Sequence, residues 1–137
     1  MSGEIKRLLF VCVENSNRSQ MAEAFARIHG GDAVVAYSAG SRPSGVVNPK
    51  AVASMRELDY DLSAHGSKSL DEIPDVEYDF VATMGCGDAC PIYPGKKYLD
   101  WELEDPANKP IDQVRPIREE IDRRVRALLE ELTPATS

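Results

Sequence analysis

Residues 8–12 read Leu8-Leu9-Phe10-Val11-Cys12, an unbroken apolar run, and the chain passes at once into the polar stretch VENSNRS. A short run with no polar alternation describes a strand covered on both faces, the condition of an interior strand in a parallel sheet. The pattern predicts a strand over Arg7–Val13. The spacing then predicts a helix over Ser19–His29, with Met21, Phe25 and Ile28 on one face and Gly30-Gly31 as its stop. A buried strand that feeds directly into a helix is the first unit of an alternating strand–helix order.

The rest of the chain repeats the alternation. Ala33–Ala39 reads as a second strand closed by Gly40. Asn48-Pro49 is a helix start, with Asn as the N-cap and Pro at the first helical position, and that helix is expected to bury Val52, Met55 and Leu58. Asp79–Met84 and Tyr98–Trp101 read as further strands. A last helix from about Gln113 to Leu132 carries Ile117, Ile121, Val125, Leu128 and Leu132 as its apolar stripe, with Pro116 expected in its first turn, where a missing N–H matters least. Alternating strands and helices predict one parallel sheet covered on both faces, with right-handed crossovers. Ligands of such folds sit at the carboxyl ends of the strands. Cys12 ends the first strand, Cys86 follows the third and Asp105 follows the fourth, so three separate loops bring reactive residues to one rim.

A chain of 137 residues with 42% hydrophobic and 28% charged residues has room for one core. The reading is a single domain over 1–137, with its core about 5–132. The net charge of −7 argues against a nucleic-acid partner, because phosphate backbones need basic patches. The charge run Arg115–Glu131 is expected to be a solvated helix face. No apolar stretch reaches membrane-spanning length and no signal-peptide pattern stands at the start, so the expected location is the cytoplasm, with no membrane partner. The three cysteines, Cys12, Cys86 and Cys90, are an odd number in a chain expected to be cytosolic, which points to thiols that change partners rather than to a fixed framework.

The loop after the first strand has a chemistry of its own. A helix N-terminus offers unpaired N–H groups and a partial positive charge, and a tight loop before it turns more N–H groups inward to form an anion nest. The nest spans Cys12, Val13, Glu14, Asn15, Ser16, Asn17, Arg18 and Ser19. Arg18 adds a planar, bidentate donor suited to an oxyanion. The same donors favour the thiolate of Cys12, and Ser19 is placed to donate a hydrogen bond to it. Cys-x5-Arg-Ser between strand and helix therefore reads as a tetrahedral-oxyanion site with a nucleophile beneath it.

VCVENSNRSQMAEAF resembles the active-site loop of the low-molecular-weight protein tyrosine phosphatase fold, and more closely that of the thioredoxin-coupled arsenate reductases built on it. YSAG (37–40), NPKA (48–51), TMGCGDACP (83–91) and EDPA (104–107) support the resemblance in the family's order. It implies a single three-layer α/β domain, a four-stranded parallel sheet flanked by helices. It also implies the roles. Cys12 attacks arsenate; Arg18 and the loop amides bind the oxyanion; Asn15 holds the loop shape; Ser19 stabilises the thiolate; Asp105 protonates the leaving oxygen. Cys86 then attacks Cys12, releasing arsenite and forming a Cys12–Cys86 disulfide, and Cys90 attacks Cys86 to leave a Cys86–Cys90 disulfide that thioredoxin reduces. The implied substrate is arsenate, with phosphate or sulfate as competing anions. No bound cofactor and no metal are implied; electrons come from thioredoxin. Gly85 and Gly87 flank Cys86 and permit the backbone change the relay requires.

The sequence departs from the family at several places. Glu14 stands where better-known relatives carry glycine, Asn17 replaces a cysteine of some relatives, and the gap between Cys86 and Cys90 is short. Some relatives hold potassium with an Asn, a Glu, a Ser and an Asp; Asn15, Glu23 and Ser38 are present, but Lys68 stands at the aspartate position. An ammonium there substitutes for the ion, so no potassium dependence is expected. Alternatives stay open. A tyrosine phosphatase would carry aromatic residues after the Asp-Pro acid, whereas this chain has Ala107-Asn108-Lys109. A redox sensor without catalysis would have no need of Asp105. Half a zinc site at Cys86-x3-Cys90 lacks ligands at the right spacing, since His29 and His65 read as surface or helix-end residues. The electron donor could instead be a small thiol such as mycothiol or glutathione.

Overall fold

The structure is a computed structural model that describes residues 5–12, 15, 17–42, 45–74, 76–84, 97–104, 106 and 109–132, with only the backbone described at 32 and 132. Four strands, β1 (Lys6–Cys12), β2 (Val34–Gly40), β3 (Phe80–Thr83) and β4 (Tyr98–Asp100), form one sheet in the order β2-β1-β3-β4. Every pairing is parallel, with Phe10 opposite Ser38 on one side and Ala82 on the other. Three helices accompany it: α1 (Arg18–Gly30), α2 (Pro49–Arg56) and α3 (Ile111–Leu132).

β1 is interior, and the apolar run explains why. Leu8, Phe10 and Cys12 point into one core with Met21 and Phe25 of α1, Met55 of α2, and Ile117, Ile121, Val125 and Leu128 of α3. Leu9 and Val11 point to the other face, where Ile73, Tyr78 and Val81 cover them. Leu8, Leu9, Phe10 and Val11 are all at 0% exposure; burying each contributes about 1.5–3 kcal/mol.

Helix starts and stops follow local chemistry. Asn48 caps α2, its Oδ1 accepting the Lys50 N–H at 2.8 Å, with Pro49 at the first helical position. α1 stops where Gly31 takes φ of 54°, and a Cβ on Gly30 would meet Val34 Cγ2 at 2.3 Å, so the turn into β2 is closed to larger residues.

Several details differ from the sequence reading. Ile28 and Leu58 are exposed rather than buried. The first two turns of α1 are instead enclosed on all sides from Ser19 to Ala26, and the helix emerges only in its last turn. α2 ends at Arg56, which leaves Leu58 in a turn. α3 begins at Ile111, so Pro116 lies in its second turn; the carbonyl its missing N–H frees is that of Asp112, an exposed residue where water can serve. Arg118 is not part of a solvated face: it is 7% exposed and donates to Glu57 Oε1 and to the Ser54 carbonyl, tying α3 to α2.

Candidate active site

The strand β1 ends at Cys12 and α1 begins at Arg18, so the loop between them lies at the carboxyl edge of the sheet. Asn15 has φ of 50°, a left-handed conformation that Asn adopts more readily than most residues. This turns its N–H inward, where it donates to Cys12 Sγ at 3.1 Å. Ser19 Oγ lies 2.8 Å from the same sulfur. Asn15 Nδ2 donates to Ser19 Oγ at 2.9 Å, so the serine's own proton is directed at the sulfur. Cys12, 4% exposed, thus holds its sulfur within hydrogen-bond reach of two donors. The first turn of α1 carries no acidic side chain to compete with an anion.

Arg18 Nη1 donates to two carbonyls, Met84 at 2.6 Å and Leu103 at 3.0 Å. Met84 precedes Gly85-Cys86, and Leu103 precedes Glu104-Asp105. The arginine therefore joins the end of β3 and the segment after β4 to the nucleophile loop. Asn17 is 6% exposed, and among the described residues neither its Oδ1 nor its Nδ2 has a hydrogen-bond partner; an unpaired buried amide costs on the order of 1–3 kcal/mol. The loop carries this penalty at its junction with α1.

Beneath the loop lies a network that the sequence reading missed. Gln20, at 0% exposure, donates from Nε2 to the Asn15 carbonyl, to Asn15 Oδ1 and to the Gly66 carbonyl at 2.9–3.0 Å. Its Oε1 meets His65 Nδ1 at 2.9 Å, and His65 Nε2 meets Tyr60 OH at 2.7 Å. An amide oxygen accepts only, so Nδ1 carries the proton and Nε2 accepts from the tyrosine. His65 is not a surface residue: its side chain is 8% exposed. Burial pushes its imidazole below the usual range, and the nearby Arg27 and Lys68 act in the same direction against Glu23. His29 does stand at the end of α1, 2.7 Å from Asp122 of α3. The signal for the buried histidine was weak, a polar HGSK stretch with no periodicity.

Glu23, 2% exposed, accepts from Ser38 Oγ at 2.5 Å and pairs with Arg27 Nη2 at 2.5 Å. Lys68 Nζ lies 4.0 Å from Glu23 Oε1 and donates to the Gly66 carbonyl at 2.8 Å, while its backbone N–H donates to Asn15 Oδ1 at 2.8 Å. An ammonium and a guanidinium already face this carboxylate, and Asn15 Oδ1 is taken by N–H donors. The residues do not fit a potassium ion.

Of the residues singled out from sequence, the structure joins Cys12, Asn15 and Ser19 by hydrogen bonds, while Arg18 opens α1 and sends its guanidinium to the Met84 and Leu103 carbonyls. Val13, Glu14, Ser16, Cys86, Cys90 and Asp105 lie outside the described residues, and with them the Cys12–Cys86 and Cys86–Cys90 disulfides.

A cysteine sulfur hydrogen-bonded to the Asn15 N–H and the Ser19 hydroxyl, with an arginine at the following helix start, thus stands at the carboxyl edge of a parallel sheet. A family model described as low molecular weight phosphotyrosine protein phosphatase matches residues 7–136, and the chain belongs to that family. Over 120 residues it is 43% identical to an arsenate reductase of Staphylococcus xylosus, covering 85% of this chain and 90% of that one. Over 131 residues it is 40% identical to arsenate reductase 1 of Staphylococcus haemolyticus, covering 93% and 97%. A solved arsenate reductase in the phosphate-binding state matches with a TM-score of 0.85 at 34% identity, over 94% of this chain and 100% of that one. A thioredoxin-dependent arsenate reductase of Corynebacterium glutamicum matches with a TM-score of 0.77 at 37% identity, over 99% of this chain and 66% of that one.

Proposed function

We propose that this protein reduces arsenate to arsenite through three thiols. The observation that carries the reading is the Cys12 sulfur held by Ser19 and Asn15 under the Arg18 helix start, in a chain 43% identical to an arsenate reductase. The Cys12 thiolate attacks arsenic(V), forming an S–As bond, and Asp105 donates a proton so that an arsenate oxygen leaves as water. Cys86 thiolate then attacks Cys12 Sγ. The S–As bond breaks with its electron pair going to arsenic, which leaves as arsenite, and the two thiols are oxidised to the Cys12–Cys86 disulfide. Cys90 attacks Cys86, Cys12 departs as thiolate, and a dithiol donor reduces the Cys86–Cys90 disulfide. Thioredoxin is the proposed donor, the protein needs no bound cofactor, and the reaction belongs to the reducing cytoplasm. Phosphate and sulfate, of similar shape and charge, compete for the nest.

The alternative is hydrolysis of aryl phosphates, since the family is named for phosphotyrosine. The stretch Ala107-Asn108-Lys109 offers no aromatic side chain to receive a phosphotyrosine ring, which favours the reductase. The test is NADPH consumption with arsenate, thioredoxin and thioredoxin reductase, on wild type and on Cys86→Ser and Cys90→Ser. Sustained turnover only with both cysteines supports the relay. Rapid aryl phosphate hydrolysis without arsenate turnover assigns the protein to the phosphatases.

A further inference from the structure

Gln20 stands in the first turn of α1 at 0% exposure. A buried amide needs partners at both ends, and here the partners fix which end is which. Nε2 lies 2.9–3.0 Å from three carbonyl oxygens, those of the Asn15 main chain, the Asn15 side chain and the Gly66 main chain, and all three only accept. Oε1 takes the Nδ1 proton of His65, whose Nε2 meets the Tyr60 hydroxyl. Asn15 is oriented by the same logic. Its Oδ1 takes the backbone N–H of Lys68 at 2.8 Å, so its Nδ2 faces Ser19 Oγ at 2.9 Å. The donors run in one sense, from Tyr60 through His65, Gln20 and Asn15 to Ser19. Asn15 holds a left-handed φ of 50°, a conformation unfavourable to residues with a Cβ, and in it donates its N–H to Cys12 Sγ at 3.1 Å. Gln20 grips this residue at both of its carbonyl oxygens.

We propose that Gln20 is a positioning residue for the oxyanion loop: its amide locks Asn15 in the left-handed conformation that presents the Asn15 N–H at Cys12, and His65 sets the direction of that amide. This rests on the reading of the Cys12 loop as an oxyanion site. Gln20 acts through Asn15 rather than on the anion. Without the lock, Asn15 relaxes towards ordinary backbone conformations, and the loop loses the preorganised donors that an anion requires.

The test reads protection of Cys12 by inorganic phosphate, which needs neither arsenate chemistry nor an electron donor. The reduced protein is alkylated with iodoacetamide over a range of phosphate concentrations at constant ionic strength, and modification of the Cys12 peptide is quantified by mass spectrometry. Gln20→Met, of similar volume, is expected to raise the phosphate concentration for half-protection about tenfold, the scale of one hydrogen bond to a charged group. Asn15→Ala is expected to raise it at least as far. In the Asn15→Ala background, Gln20→Met is expected to add less than about twofold, since the residue it positions is gone, whereas a packing role would multiply. Gln20→Glu keeps the shape and the acceptor for His65 but loses the donor, and serves in the same cycle if Gln20→Met does not fold. His65→Asn, which keeps a donor for Gln20 Oε1, is expected to be protected at lower phosphate than His65→Leu. Half-protection of Gln20→Met within about twofold of wild type, losses that multiply with Asn15→Ala, or equal protection of the two His65 variants overturns the proposal. A wild type that phosphate does not protect overturns the oxyanion reading and this proposal together. The expected pattern in a protein that turns over no arsenate supports the proposal while overturning the reductase reading.

Discussion

Arg18 Nη1 donates to the carbonyl of Met84 at 2.6 Å, so the arginine that opens α1 is bonded two residues before Cys86 in sequence. A guanidinium carries five N–H donors, and two of them are committed to the Met84 and Leu103 carbonyls. The geometry couples three loops through one planar group, which a lysine ammonium cannot reproduce. Arg18→Lys is expected to lower kcat/KM for arsenate by about 10²–10³-fold, the loss seen when an oxyanion donor is removed. It is also expected to change the emission of Trp101, the chain's single tryptophan, which lies two residues before Leu103. Unchanged emission would show that the carbonyl bonds do not order this segment.

Ser19 gives a second prediction. Its hydroxyl accepts from Asn15 Nδ2 and so has its proton left for Cys12 Sγ. Ser19→Ala removes that donor and leaves the Asn15 amide without an acceptor, while the apolar contacts of α1 stay in place. Alkylation of Cys12 by iodoacetamide at neutral pH is expected to slow several-fold, with thermal stability falling by about 1 kcal/mol or more for the orphaned amide. Alkylation at the wild-type rate would mean that the Ser19 hydroxyl does not govern the reactivity of Cys12.

Part of this was legible before the fold was known, because a strand-loop-helix junction of this kind is written locally. Cys12, Asn15, Arg18 and Ser19 fall within eight consecutive residues, and the strand and helix on either side follow from apolar periodicity. What was not legible depends on tertiary burial. His65 reads as a polar loop residue, yet its side chain is buried against Gln20 of α1. Ile28 shares a helical face with Met21 and Phe25 but projects past the end of the core. Arg118 sits in a charge run like its neighbours, yet faces α2. The carbonyl partners of Arg18 are backbone atoms, and no side-chain pattern announces them.

Lys68 leads to a prediction about cations. With Lys68 Nζ 4.0 Å from Glu23 Oε1 and Arg27 on the other carboxylate oxygen, the charge that a monovalent ion would supply is already present. Arsenate turnover is expected to be the same in potassium and sodium salts at equal ionic strength. Lys68→Asp, which removes the ammonium and adds a carboxylate beside Glu23, is expected to depress activity in sodium and to regain part of it in potassium. A wild-type rate that rises several-fold with potassium alone would show that the ammonium does not fill this role.

The α2–α3 junction sets a pH dependence that is independent of catalysis. Glu57, at the end of α2, receives hydrogen bonds from Arg115 and Arg118, and these hold its carboxyl at about 2, down from 4.5. A carboxyl depressed in the folded state binds its proton more weakly there than in the unfolded chain, so folding is favoured above the unfolded value. That contribution is present at neutral pH and is lost as pH falls from about 4.5 towards 2. Glu57→Gln removes the titration. Wild type and variant are therefore expected to differ in urea midpoint at pH 7 and to converge as pH approaches 2, with the gap at pH 7 narrowing in high salt because the pair is partly exposed. Arg118 sharpens the case: it is buried, and without Glu57 its partners among the described residues are the Ser54 carbonyl and the exposed Glu119. A midpoint difference that stays constant from pH 7 to pH 2 would mean that Glu57 acts through packing at the helix end rather than through its charge.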